Sequence, residues 1–478
     1  MGRDVLLLYM SPKNQNYKTQ TNEGAVRYLI KEKETPDCIL ALCSETVRKK
    51  AVVEMPDGST CTTLEYFRDA LRRVGIPAER LVVIEVPDSM DDEKKQFQAI
   101  SQLLDKIEKE DTLSIDLSGG MRDTAMLLVT AARCMRDLRG VQTRRVIYAE
   151  LRGEEPVAHD RTQLYDLFDF VTAMDAFFST GTAQKLKSYL WSEGEKDPVL
   201  HTLLTRINQF SEDLALCRVQ KLNDDLNQIA QALKETPKKS QNLTDLFFRL
   251  LKDRFNTEFA ELLSSGEKAL PALVSWCADH GMYQQALTLL CEQMPEYVCQ
   301  HLFVQPTERG WEYLAAQMQN RGKPWVYPLF HFHFCRLTLL QKEHPYTTDL
   351  RLTLSRDDAE GNMLFGVAND AEMHDYLDMA LASDQLVIDP AIRPQLERAA
   401  LLYQRVMQYR NQINHASAND LGLQSERVLP LDTENIEETL QEIAAYLHEI
   451  RPLKRNVPQG IKALPVTKTI PAGTAPNL

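Results

Sequence analysis

The sequence predicts an α/β N-terminal domain built on a parallel, doubly wound sheet, followed by an all-α C-terminal domain. Three observations carry this expectation. Over residues 4–151 short apolar runs alternate with amphipathic stretches, the pattern of repeated strand–helix–strand units. From about residue 197 the apolar spacing turns to three and four, the period of helices packed on one face. Between them in importance lies Ser114–Arg136, where a short apolar run ends in Asp116-Leu117-Ser118-Gly119-Gly120 and a helical pattern begins at once.

In chain order, Val5–Met10 is the first expected strand, and the polar loop Ser11–Asn22 follows. Thr21 or Asn22 is placed to cap a helix over Glu23–Lys33. Cys38–Leu42 is the second strand, running into Ser44-Glu45-Thr46. Met55–Gly58 carries turn residues. Thr63–Val74 reads as an amphipathic helix capped by Thr62 or Thr63, Leu81–Val86 as the third strand, and Asp91–Glu108 as the next helix. Leu113–Leu117 is the fourth strand. The helix after it has Met126, Leu127, Val129, Ala131, Ala132 and Met135 at its apolar positions, and Arg145–Leu151 is the fifth strand.

Ligands of such sheets bind beyond the carboxyl ends of the strands. That rule sets Ser11–Asn14, Ser44–Thr46 and Asp116–Arg122 along one rim. The candidate ligand contacts are therefore Ser11, Lys13, Asn14, Ser44, Thr46, Ser118, Gly119, Gly120, Met121 and Arg122. The glycine turn has two readings. As a phosphate cradle it presents bare N–H groups where the helix dipole favours negative charge, and its glycines admit a close ligand. As an ordinary strand-to-helix turn it needs glycine only for backbone geometry. Asp116 is expected to brace the turn.

The expected boundaries are 1–155 for the α/β domain, 156–200 for connector helices, 201–451 for the helical domain and 452–478 for a mobile, proline-rich tail. Arg152–Pro156 reads as a break in structure. Leu164–Phe178 is dense in Leu, Phe and Met, as in a buried connecting helix or a subunit contact. Helices are expected over Leu203–Leu233, Leu243–Leu263, Ala269–His280, Tyr283–Glu292, Ala368–Ala382, Pro390–Asn414 and Thr433–His448, punctuated by Pro271, Gly281 and Pro295.

The net charge of −13 over 478 residues excludes non-specific coating of nucleic acid, which needs a basic surface, while allowing a local basic cleft. No apolar run reaches the ~18 residues that span a membrane, and the first residues lack the pattern of a signal peptide. The nine cysteines are scattered with no C-x-x-C pair. Reduced core thiols in a cytoplasmic protein are expected, with no metal cluster and no cofactor. Tyr9–Lys13 contains no glycine, which disfavours a dinucleotide-using enzyme.

A second constellation closes the long helix over Pro390–Asn414: Arg410-Asn411-Gln412-Ile413-Asn414-His415. The bland account is a solvated helix end. The chemical account is metal-free RNA cleavage, with a histidine exchanging protons near neutral pH and an arginine stabilising charge on phosphate. Asn411 and Asn414 are placed to orient the pair or the substrate. Five positions at roughly 100° each separate Arg410 and His415 on a straight helix. A working pair therefore needs the helix to end near Asn414, or a site shared between two chains.

Taken together, Asp116-x-Ser-Gly-Gly in a Rossmann-like domain and Arg410-x4-His415 in a helical one resemble the CARF–HEPN proteins, ancillary ribonucleases of type III CRISPR antiviral systems. The resemblance covers most of the chain. Ser118 stands at the threonine of the family's Asp-x-Thr-x-Gly turn, and Gly119 stands where some members have histidine. The resemblance implies a homodimer whose CARF domains bind cyclic oligoadenylate, with cyclic tetra-adenylate favoured. It further implies a composite HEPN site cutting single-stranded RNA with Arg410, His415 and Asn411, and no membrane. Some CARF domains also degrade their activator, a role open to Ser11, Lys13 and Ser118. A nucleotide-responsive regulator without catalysis is the alternative of a different class.

Overall fold

A computed structural model describes residues 2–50, 52–55, 58–89, 92–120, 122–152, 155–192, 197–235, 243–265, 269–310, 325–328, 356–357, 363–364, 369–382, 384, 386–414, 429–464 and 467–470. The chain forms two compact units, Met1–Asp169 and Phe170–Leu478.

The first unit is an α/β sandwich. Its strands are β1 (Asp4–Tyr9), β2 (Cys38–Cys43), a small hairpin of β3 (Val52–Glu54) and β4 (Thr60–Thr62), then β5 (Leu81–Glu85), β6 (Thr112–Asp116), β7 (Gln142–Arg152) and β8 (Glu155–Asp160). Six of them make one sheet in the order β5-β2-β1-β6-β7-β8. The first five are mutually parallel. β1 and β2 are buried along both faces, so their sequences are near-continuous apolar runs instead of alternating ones. Leu7, Leu40 and Ile115 face one core, shared with α3 (Glu93–Leu104) and α4 (Arg122–Arg139). Leu6, Leu8 and Ile39 face the other, shared with α1 (Glu23–Lys31) and α2 (Thr63–Arg73). Thr62 caps α2 in a reciprocal box with Glu65, accepting from the Glu65 N–H at 3.2 Å while the Glu65 carboxylate accepts from the Thr62 N–H at 2.8 Å.

Two expectations for this unit need correction. The sheet is not wholly parallel, because β8 pairs antiparallel with β7. Pro156, read as a breaker, lies in this edge strand opposite Leu151, where a residue without an N–H is tolerated. The hairpin around Gly58 was visible only as a turn, since its strands have three residues each. The compact unit continues through β8 into α5 (Thr162–Thr180), up to Asp169.

The second unit is largely helical: the rest of α5, then α6 (Gln184–Ser192), α7 (Pro198–Ala215), α8 (Val219–Ala232), α9 (Leu243–Glu258), α10 (Ala260–Ser265), α11 (Leu270–Asp279) and α12 (Tyr283–His301). After these come α13 (Asp370–Ala382), α14 (Arg393–Asn414) and α15 (Thr433–Ile450). The stretch 203–233 is two helices, since Cys217 turns the chain with φ of 50°. The unit is not purely α. β9 (Val304–Pro306) pairs with β13 (Leu386–Ile388), β10 (Trp325–Pro328) with β14 (Thr467–Ile470), and β11 (Arg356–Asp357) with β12 (Met363–Leu364). An aromatic cluster fills its core. Phe177 meets Phe178, Phe210, Phe255 and Phe259, and Phe259 meets Trp276 edge-on at 5.1 Å. α5 buries Phe170, Met174 and Phe177 but exposes Leu164, Phe168 and Val171. Residues after α15 are tied to this unit as far as Leu464: the Gln305 amide donates to Lys462 O at 2.8 Å and accepts from Leu464 N–H at 3.0 Å. Among the described residues no helix is long and apolar enough to cross a membrane.

Pro295 lies inside α12 instead of ending it. A proline there leaves the carbonyl four residues back without its helical donor. That carbonyl belongs to Cys291, and the buried Tyr403 hydroxyl of α14 donates to it at 2.9 Å. Replacing Tyr403 with Phe should therefore strand a buried acceptor and cost about 1–3 kcal/mol. The shift of the denaturant midpoint followed by helical circular dichroism measures it, and an unchanged midpoint would rule the contact out as a support for the helix around Pro295.

Candidate functional site

Counting only the five parallel strands, the sheet order is third-second-first-fourth-fifth, so the winding reverses between β1 and β6. Doubly wound sheets take ligands in the crevice beyond the strand ends at that reversal. The two chain segments leaving it are Met10–Asn22 and Leu117–Arg122.

Asp116 ends β6 with its side chain fully buried. One carboxylate oxygen accepts from the Ser118 N–H at 2.9 Å and from the Ser118 hydroxyl. The other accepts from the Asn22 side-chain amide at 2.7 Å. Burial pushes the Asp116 carboxyl up to about 6, against the opposing pull of the Ser118 and Asn22 hydrogen bonds. The Ser118 hydroxyl also accepts from Ala149 N–H on β7 at 2.6 Å. Ser118 thus staples the turn to two strands, and its hydroxyl is engaged within the protein.

Both glycines have reasons internal to the fold. A Cβ at Gly119 would lie 1.8 Å from the Tyr9 carbonyl oxygen of β1, so glycine here allows the turn to approach a strand. Gly120 has φ of +83°, a conformation in which side chains are disfavoured. Its N–H donates to Ser11 Oγ at 2.9 Å, and the Thr124 hydroxyl donates to Gly119 O at 3.1 Å. Arg122 opens α4 directly after the turn. Met121 lies outside the described residues.

Ser11 and the turn therefore meet. Lys13 and Asn14 lie on the same loop but are turned differently. The Lys13 ammonium donates to the carbonyls of Asn14 (3.0 Å) and Tyr17 and sits 5.3 Å from the Tyr66 ring centre; its burial lowers its pKa. Its backbone N–H donates to Thr63 Oγ1 at 3.2 Å. Asn14 is exposed and caps its own loop, accepting from Asn16 N–H at 3.0 Å. Ser44, buried, and Thr46 follow β2, the neighbour of β1. The Thr46 N–H already holds an anion, the Asp88 carboxylate at 2.6 Å. Lys50 at 2.9 Å and this N–H hold that carboxyl well below the usual range.

Asn22 and Gln20 escaped the sequence reading. Asn22 sits at the N-cap of α1 but makes no side-chain cap hydrogen bond. Its amide instead donates to Tyr9 O at 3.1 Å and to Asp116, while accepting from Ser11 N–H at 3.1 Å and Gln20 Nε2 at 2.6 Å. The one available signal was the density of amide side chains just before an apolar helix.

The second constellation lies at the far end of the sequence. Arg410 is in the last turns of α14, half-buried, with Nη1 donating to Asn411 Oδ1 at 3.3 Å. Its Nε is buried with no hydrogen-bond partner among the described residues. Its charge reaches Cys291 of α12, whose thiol burial nonetheless pushes up to about 12. Asn411 and Asn414 are exposed, and Asn414 is the last residue of α14. His415 lies outside the described residues. Among the described residues no group of three or more His, Cys, Asp or Glu could hold a metal ion.

Comparison with known proteins finds no matching family model and no matching curated sequence.

The raised Asp116 carboxyl makes a signed prediction. Between its ordinary value of 3.8 and its folded value of about 6, the native state binds the proton more tightly than the unfolded chain. That stabilisation is complete below the lower value and is lost as pH rises through the upper one, a change of about 3 kcal/mol. Urea denaturation of wild type and Asp116→Asn across pH 4–8 isolates it. The wild type's stability relative to the variant should fall by about that amount as pH rises; a difference independent of pH would contradict the assignment.

Proposed function

We propose that this chain is a signal-activated endoribonuclease in which the α/β unit is the sensor and the helical unit carries the chemistry. The observation that supports it most is the meeting of Ser11 Oγ with the Gly120 N–H, 2.9 Å apart, at the winding reversal of the sheet and immediately before α4. A polar backbone turn at a helix N-terminus suits phosphate.

The particular reading is a CARF–HEPN ribonuclease of type III CRISPR antiviral defence. Its activator is cyclic oligoadenylate, with cyclic tetra-adenylate favoured, held by a homodimer of sensor units. The exposed stripe of Leu164 and Phe168 on α5, 63% and 53% accessible, supports an apolar partner surface. At the sensor, Ser11 and the Gly119–Gly120 backbone meet the phosphates, with Met121 and Arg122, next in the sequence, as further candidate contacts. Lys13 contributes only after its ammonium leaves the carbonyls of Asn14 and Tyr17.

In the helical unit the substrate is single-stranded RNA. His415 withdraws the 2′-OH proton, the 2′-oxygen attacks the adjacent phosphorus, and the 5′-oxygen leaves with a proton returned to it. Arg410 stabilises the charge that grows on the phosphoryl oxygens, and Asn411 orients the arginine. Nothing in this route calls for a metal ion.

With cyclic tetra-adenylate present, Arg410→Ala and His415→Ala should each lower RNA cleavage by about 10²-fold or more and leave activator binding unchanged, while EDTA leaves wild-type cleavage intact. RNA that survives the wild-type protein with both cyclic tetra- and hexa-adenylate would refute the ribonuclease and favour a regulator without catalysis.

A further inference from the structure

We infer that Asn22 is the positioning residue of the anion site, the single side chain that sets both Ser11 and the Asp116–Gly120 turn in place. The inference rests on the sensor reading above and assigns a role that neither the turn motif nor the rim rule contains.

Asn22 is fully buried. An asparagine amide offers two donors and an oxygen with two lone pairs. All four are engaged here: Nδ2 donates to Tyr9 O at 3.1 Å and Asp116 Oδ2 at 2.7 Å, and Oδ1 accepts from Ser11 N–H at 3.1 Å and Gln20 Nε2 at 2.6 Å. Gln20 closes the circuit, accepting from the Asn22 N–H at 2.9 Å and donating to Ser11 O at 2.8 Å. Ser11 then takes the Gly120 N–H, and Asp116 takes Ser118. One amide thus supports the β1–α1 loop through its acceptor and the β6–α4 turn through its donors. Gly119 packs directly on it, since a Cβ there would lie 2.9 Å from Asn22 Nδ2. Neither a carboxylate, which only accepts, nor an apolar side chain makes both sets of bonds.

Aspartate at this position separates positioning from mere space-filling. In Asn22→Asp one carboxyl oxygen takes the place of Nδ2 and faces two acceptors, Asp116 Oδ2 and Tyr9 O. The two carboxyls must then share a proton, so the site assembles only at low pH. Other charged groups near the pair are engaged elsewhere. Glu23 of α1 accepts from Gln20 N–H at 2.7 Å and pairs with Arg27 at 3.1 Å. Lys13 of the loop is turned to Asn14 and Tyr17. β1 contributes the Tyr9 carbonyl and the Tyr9 ring, and β7 contributes the Ala149 N–H.

The experiment measures cyclic tetra-adenylate binding to wild type, Asn22→Asp and Asn22→Ser by calorimetry at pH 5.5 and 8. Hydrogen exchange of the Ser118–Gly120 amides without ligand is followed in parallel, with folding checked by circular dichroism. Asn22→Asp should bind about ten-fold or more weakly at pH 8 and recover most of that loss at pH 5.5. Asn22→Ser, which keeps a small neutral group, should be weakened similarly at both. Wild-type affinity in either variant, or an equal deficit for Asn22→Asp at both pH values, would overturn the inference. If the wild type does not bind cyclic tetra-adenylate, the sensor reading fails on its own, and exchange still decides the role of Asn22. The turn amides of Asn22→Asp should then exchange faster than wild type at pH 8 and regain protection at pH 5.5, and unchanged protection would count against positioning.

Discussion

The turn after β6 is pressed so closely on β1 that a single methyl group at residue 119 would lie 1.8 Å from the Tyr9 carbonyl oxygen. Backbone this close, at the reversal of a doubly wound sheet, leaves little room for water. The polar groups trapped there must therefore satisfy one another. Asp116, Asn22, Gln20, Ser118 and Ser11 do so through one network linking the ends of β1 and β6, the start of α1 and the side of β7. The carboxyl at its centre is fully buried, and its ionised form is disfavoured there. The rim is thus a fixed polar platform, and on the proposed reading a phosphate would meet backbone geometry more than side-chain charge.

The same constraint limits which candidate residues are free to meet a ligand. Ser118, the residue of the motif with the most obvious chemistry, is engaged on Asp116 and Ala149. The Lys13 ammonium faces its own loop, and the Thr46 N–H holds Asp88. Ser11, whose hydroxyl oxygen accepts from the Gly120 N–H, keeps an O–H donor to offer a ligand at this point. At the other end of the sequence, the half-buried Arg410 lies in the last turns of α14, whose neighbour α12 carries Pro295 within it and is braced by Tyr403.

β1 and β2 were legible because they are buried on both faces and so read as unbroken apolar runs. β8 was not, since its sequence Glu-Pro-Val-Ala-His-Asp is that of an edge strand, half polar and interrupted by proline. The rim was legible from the alternation of strands and helices, which put Ser11–Asn14, Ser44–Thr46 and Asp116–Arg122 beyond strand ends; that Ser11 meets Gly120 followed only from the strand order. The role of Asn22 was hidden by its position. An asparagine before a helix looks like a cap, and only the approach of β6, 94 residues away, turns its amide elsewhere. The orientation of Lys13 was equally hidden, because a lysine in a polar loop has the same sequence signature whether it faces solvent or its own carbonyls.

The central claim is that phosphate docks on this platform at the β1–β6 reversal. Hydrogen exchange of the whole chain with and without saturating cyclic tetra-adenylate tests it most directly. The account predicts added protection concentrated in residues 11–14 and 118–122, at the ends of β1 and β6. Protection confined to other segments, or none despite measured binding, would contradict it.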